Sequence, residues 1–261
     1  MKTYKGKQLE NLRQSGRILR GAFAALEKAL RPGISTMELD KIAEEYILAQ
    51  GGEPCFKRYE NYGYSICASV NEESIHGMPR ADKILADGDI ISLDCGVRYP
   101  KGNGMCTDAA RTFAIGEISD KARGLIEACE QCFHVATKDL RAGDRVGTIG
   151  EKIEAFIAGR YGIIDIFFGH GIGENVHQEP LIPNFNVNRV KDKKRREKLI
   201  ERGNVILPEG VILCIEPMIN CGTKEVKTGK DGWTVVTADG ELAAHYENTL
   251  IVWKDKVEIV T

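Results

Sequence analysis

Apolar residues recur at helical spacing near the start of the chain, at Leu9, Leu12, Leu19, Phe23, Leu26 and Leu30, and a stripe of that period predicts an amphipathic helix. Arg31-Pro32-Gly33 stops it. Ser35-Thr36-Met37-Glu38 opens a second helix as a capping box, in which hydroxyl and carboxylate each satisfy a free backbone N–H, and Gly51-Gly52 closes that helix. The signals then return. Lys121 to Arg141 carries another long-helix pattern through Leu125, Ile126, Cys129, Phe133 and Leu140, stopped by Gly143, and Thr148-Ile149-Gly150-Glu151 offers a second capping box.

The segments downstream of the two helix pairs match as well. One half has His76-Gly77-Met78-Pro79, then Asp87-Gly88-Asp89 leading into Ile90-Ile91-Ser92-Leu93-Asp94; the other has His177-Gln178-Glu179-Pro180, then Glu209-Gly210 leading into Val211-Ile212-Leu213-Cys214-Ile215-Glu216. In both, an apolar strand ends on a carboxylate and a second carboxylate comes on a later strand, Asp108 and Glu247. Two copies of roughly a hundred residues indicate an internal duplication rather than a solenoid.

At 261 residues the chain fits a single large α/β or α+β domain over residues 1–261. Its 43 % hydrophobic and 28 % charged residues exclude a disordered or membrane chain, and its net charge of -2 argues against wholesale nucleic-acid binding. No apolar run is long enough to span a bilayer, and the basic start leads into a polar periodic segment instead of a signal-peptide core. The eight cysteines lie mostly inside apolar runs, as expected of reduced thiols in the cytoplasm. Cys129 and Cys132 are the one close pair, and without a partner pair they read as helix-face residues, not a zinc or redox motif.

The placed acids carry the chemistry. Pro100-Lys101-Gly102-Asn103-Gly104 reads as a hairpin turn, and Asp94 and Asp108 are equidistant from Lys101, so they should face each other or nearly so. Opposed residues have Cβ atoms about 4.5–5.5 Å apart, where two carboxylates repel unless a cation bridges them. A lone acid would suit a solvated strand edge. Two together, with Glu216 and Glu247 in the matching half, favour metal binding. His170, in Gly169-His170-Gly171-Ile172-Gly173 after the apolar run Ile163 to Phe168, is, taken alone, as readily a turn residue as a ligand. With four carboxylates it completes an oxygen and imidazole set suited to two divalent ions such as manganese, iron, cobalt or zinc.

Asp94, Asp108, Gly169 to Gly173 with His177 and Pro180, Ile215-Glu216-Pro217-Met218, and Asp231-Gly232-Trp233-Thr234-Val235 with Tyr246-Glu247-Asn248-Thr249 together resemble the type I methionine aminopeptidases along nearly the whole chain. The resemblance implies an α+β pita-bread fold, an antiparallel sheet with helices on its outer face and pseudo-twofold symmetry. It implies removal of the initiator methionine from nascent proteins, with Asp94, Asp108, His170, Glu216 and Glu247 as ligands of two metals and a metal-held hydroxide attacking the methionine carbonyl. It further implies that Glu216 accepts the water's proton, His177 hydrogen-bonds the scissile carbonyl and His76 contacts the departing nitrogen. Cys55, Tyr59, Tyr62, Cys67 and Trp233 align with the family's methionine pocket, where thiols and aromatic faces suit a thioether.

The chain departs from that family in places. Val176 precedes His177 where bacterial members usually carry Phe, implying a wider pocket wall. His245 stands for the usual Gln before Tyr246-Glu247, Asn248 stands for a usual His, the Asp94–Asp108 hairpin is longer than common, and there is an insertion between Pro183 and Pro208. Within it, the basic residues of Arg189 to Arg202 outnumber the acids. That segment reads either as a solvated helix or as a contact with ribosomal RNA, joined by Lys224 to Lys230. A monomer with no membrane attachment is expected. The rivals are a proline-type aminopeptidase of the same fold, which usually needs a further N-terminal domain, and a non-enzymatic ribosome- or RNA-binding module, which would typically have lost ligands.

Overall fold

The two N-terminal helices form where the apolar stripe and its stop signals put them. The computed structural model describes residues 1–261 apart from the side chain of Arg58, and α1 spans Lys7–Ala29 and α2 Thr36–Ala49. Ser35 accepts from the Glu38 N–H at 3.2 Å while its own N–H donates to the Glu38 carboxylate at 2.9 Å, so the expected capping box is present. The second pair differs at its edges. Helix α3, Asp120–Thr137, ends before Arg141 because Lys138 is extended and Asp139 is left-handed (φ 61°), which turns Leu140 back into the core. Helix α4, Gly147–Ile157, has no capping box: Val146 is itself helical, Thr148 donates its hydroxyl to the Arg145 carbonyl, and Glu151 meets the Arg145 guanidinium. An eleven-residue helix α5, Lys193–Gly203, fills the insertion.

One antiparallel sheet runs through the molecule, with its central strands in the order Ile90–Tyr99, Met105–Ala114, Glu247–Val252, Val211–Ile215 and Phe168–Gly171. That order is a palindrome of the two halves. In each half the strand bearing or leading to the first acid lies outside and the strand bearing the second acid lies inside, and the inner strands join at Glu247↔Ala110 and Asn248↔Ala109. The helices cover the outer face in the same symmetric way. Leu19, Leu26, Leu39 and Ile47 of α1 and α2 pack with Ile66, Ile91 and Leu93, whereas Leu125, Phe133, Ile149 and Ile153 of α3 and α4 pack with Leu213, Ile215 and Leu250.

Register and strand bounds correct three expectations. The hairpin turns about Gly102 (φ 88°), one residue beyond Lys101, so Asp94 pairs with Ala110 and Asp108 with Gly96. The two acids are therefore diagonal neighbours on one face. Asp94 is also the fifth residue of a ten-residue strand, not its end. The run Ile163 to Phe168 splits: Gly162–Ile163 joins a small side sheet and Phe168–Gly171 joins the main one, which places His170 within a strand.

Thr249 ties the halves where the site is built. Its buried hydroxyl accepts from the Asp108 N–H at 2.8 Å and donates to the Asp108 carbonyl at 2.9 Å. Thr249→Val keeps the shape and orphans the Asp108 N–H, while the Asp108 carbonyl keeps the Thr261 hydroxyl at 3.4 Å, so urea unfolding should show a loss of about 1–3 kcal/mol; an unchanged midpoint would mean the tie contributes nothing.

Candidate metal centre and substrate cavity

Asp94, Asp108, His170, Glu216 and Glu247 all line one cavity of about 330 Å³. Strand pairing brings them there from distant parts of the chain. Ligand atoms of Asp94, Asp108 and Glu247 lie within 4.8 Å of one another, and so do those of His170, Cys214 and Glu247. Glu247 is common to both groups, which is the arrangement two neighbouring cations need. Glu216 closes the ring, its Oε1 3.5 Å from His170 Nε2.

The electrostatics ask for positive charge. Burial pushes the Asp94 carboxyl up to about 6, and it pushes Asp108, Glu216 and Glu247 well above the usual carboxylate range, helped by the charges of the neighbouring acids. Asp94 Oδ1 and Glu247 Oε1 are buried without any hydrogen-bond partner, an arrangement that is costly unless something else satisfies it. His170 is held neutral by burial, its pKa down to about 3, so its distance to Glu216 is a spacing of ligand atoms and not an ion pair. A neutral imidazole, four acids of which two are buried and two half-buried, and orphaned oxygens fit two divalent cations.

Cys214 is a site neighbour that no motif marks. It comes within ligand distance because its strand pairs with that of His170 in the register His170↔Cys214. Burial, and then the charge of Glu247, push its thiol up, and its Sγ sits 3.4 Å from Thr249 Oγ1. It is a packing thiol beneath the acids, and only that cross-strand register could have revealed it.

The remaining expected residues surround the acids. His76 holds a left-handed backbone (φ 58°) unusual for a side chain with a Cβ, and meets the Phe167 ring edge-on at 5.5 Å. Burial lowers it to about 4. His177 lies edge-on between His170 at 4.5 Å and Tyr59 at 4.9 Å. Tyr59, Tyr62, Cys67 and Trp233 line the apolar side of the cavity, with Tyr62 and Trp233 in edge contact at 5.1 Å. Cys55 is the exception. It is buried behind Phe56 and Gly96 and its thiol partners Cys106, so it backs the wall without lining it. Val176 is likewise a core residue outside the lining, because its side chain packs in the cluster of Tyr4, Cys106 and Ile172, and the expected widening of the wall does not arise there. Phe56, Glu60, Ile75, Phe167, Phe168, Leu181 and His245 complete the lining, and of these only His245 stands out in the sequence, as a departure from the family.

This geometry has known counterparts. Residues 10–254 match the model of metallopeptidase family M24. A methionine aminopeptidase of Clostridium acetobutylicum is 42 % identical over 255 residues, covering 97 % of this chain and 96 % of that protein. The crystal structure of methionine aminopeptidase from Thermotoga maritima superposes with a TM-score of 0.90 at 30 % identity, covering 100 % of this chain and 99 % of that one. An X-Pro aminopeptidase from the same organism gives 0.74 at 22 % identity over 99 % of this chain and 61 % of the other, a likeness of fold alone. The chain therefore belongs to metallopeptidase family M24 and, within it, to the type I methionine aminopeptidases.

If cations relieve the buried acids, their removal must destabilise the fold. Chelated protein should melt lower than protein given Mn²⁺ or Co²⁺, and free metal at a hundredfold over Kd should add about 2.7 kcal/mol per site. Identical melting curves with and without metal would contradict the metal centre.

Proposed function

We propose that the chain removes the N-terminal methionine from polypeptides by metal-assisted hydrolysis, and that the enzyme works in the cytoplasm on nascent chains. The observation that carries the reading is the shared Glu247 at the floor of a cavity whose other wall is aromatic and thiol-lined. Divalent ions held by Asp94, Asp108, His170, Glu216 and Glu247 would supply a nucleophile at neutral pH and polarise the scissile carbonyl. The chain's own groups do the rest. A methionine thioether sits against Tyr59, Tyr62, Cys67 and Trp233, where sulfur makes favourable contacts with ring edges. Glu216 takes a proton from the attacking water and passes it to the departing amine. His177 donates to the scissile carbonyl oxygen as charge develops there, and His76 contacts the departing nitrogen. Burial keeps the His76 imidazole neutral, and partial desolvation lowers the pKa of the more exposed His177, which suits hydrogen bonding rather than charge pairing.

Metal-reconstituted protein should cleave Met-Ala-Ser and leave Ala-Pro-Ala intact, and Glu216→Gln should lower kcat on the first peptide by about a hundredfold or more. Cleavage of the proline peptide alone would reassign the enzyme.

A second reading concerns the insertion. Arg195 of α5 and Lys224 both reach the Asp165 carboxylate, which brings the two basic segments side by side. Lys194, Lys198, Lys227 and Lys230 are exposed around them. This supports one cationic patch facing ribosomal RNA while the cavity receives the emerging chain. Charge reversal at those four lysines should reduce ribosome co-sedimentation and flatten its salt dependence while tripeptide hydrolysis is unchanged; equal sedimentation at low salt would leave the segment a solubility feature.

A further inference from the structure

His245 has no task in the mechanism above, yet it is one of the least accessible groups in the cavity. Its side chain is 3 % exposed, its Nε2 has no hydrogen-bond partner, and that nitrogen lies 3.6 Å from Glu216 Oε2, just beyond hydrogen-bond length. The backbone fixes it there. The His245 N–H donates to Thr112 Oγ1 at 3.0 Å, its carbonyl accepts from the same hydroxyl at 2.9 Å, and it pairs with Met218 in the small sheet.

The two oxygens of Glu216 are thus divided between two imidazoles: Oε1 faces His170 at 3.5 Å and Oε2 faces His245 at 3.6 Å. His245 is in neither group of ligand atoms. Behind it lies a second cavity of about 310 Å³ lined by Glu27, Arg111, Glu130 and Tyr246, and among the described residues His245 alone borders both cavities. A buried N–H with nothing to donate to is costly, and a carboxylate with one unheld oxygen can rotate.

We propose that His245 is a positioning residue, whose Nε2–H donates to Glu216 Oε2 and fixes that carboxylate with Oε1 turned toward the ligand cluster. The inference deepens the metallopeptidase reading and rests on it. A glutamine amide can supply an equivalent side-chain N–H, so the chemistry is one of donation, not of an imidazole as such.

Three variants separate donation from volume: His245→Gln retains a donor, while His245→Leu and His245→Met fill the space without one. The donor-free variants should melt cooperatively and show kcat on Met-Ala-Ser lowered about 10–100-fold with KM little changed. Calorimetric titration of each metal-free protein with Mn²⁺ should show affinity weakened by a similar factor, and His245→Gln should restore both quantities. Wild-type kcat in the leucine variant, or a glutamine variant as impaired as leucine, would overturn the proposal. So would X-ray absorption of the Co²⁺-loaded proteins showing one imidazole fewer in the leucine variant, which would make His245 a ligand. Because the Mn²⁺ titration does not depend on turnover, a wild type that binds metal without cleaving methionyl peptides would fail the proposed function and still report on His245.

Discussion

Asp94, Asp108, Glu216 and Glu247 crowd into one cavity, Asp108 and Glu247 buried and Asp94 and Glu216 half-buried, and the rest of the structure can be understood as the means of holding them there. Carboxylates at this spacing repel, and burial removes the solvent that would screen them. Helix pairs on the outer face and the Thr249 tie hold the strands against that repulsion, and the Arg111 guanidinium offsets part of it beside Glu247. The missing charge has to be brought in from solution. A site built this way is stable when filled and strained when empty, so its occupancy and its folding are linked.

The sheet solves the problem of delivery. Each acid arrives on its own strand or just past one, and the palindromic order sets the two inner strands side by side at Glu247↔Ala110. A diagonal offset between Asp94 and Asp108, where the sequence suggested near-opposition, leaves more room between them than a direct pair would. The aromatic wall then sits on one side of the acids, and the neutral histidines His76 and His177 sit near its rim. Charge chemistry and apolar recognition meet in one cavity without either diluting the other.

How much of this is legible in the chain depends on the range of each interaction. The first capping box and both long helices are local, since residues three or four apart decide them, and their signals are plain. The four acids and His170 are legible as a set because like charges in apolar runs need an explanation. The failures are non-local. Thr148 loses its capping role because Val146 is drawn into the helix and bonds to Val205, far away in the chain. The family resemblance implies Cys55 on the pocket wall and Val176 beside it, whereas packing against Cys106, Tyr4 and Ile172 places both behind the lining. Cys214 and Leu181 enter the site through strand register alone.

The join at Glu247↔Ala110 also has a consequence for biosynthesis. Asp94, Asp108 and His170 leave the ribosome well before the strand Glu247–Val252, which supplies the one carboxylate common to both groups of ligand atoms and fills the middle of the sheet. Until that strand arrives, Met105–Ala114 and Val211–Ile215 each present an unpaired edge, and such edges template association with other chains. Vectorial synthesis therefore delivers the keystone late. A chain that pairs its earlier strands first would be acidic at its centre and open along two edges until that strand closes the sheet.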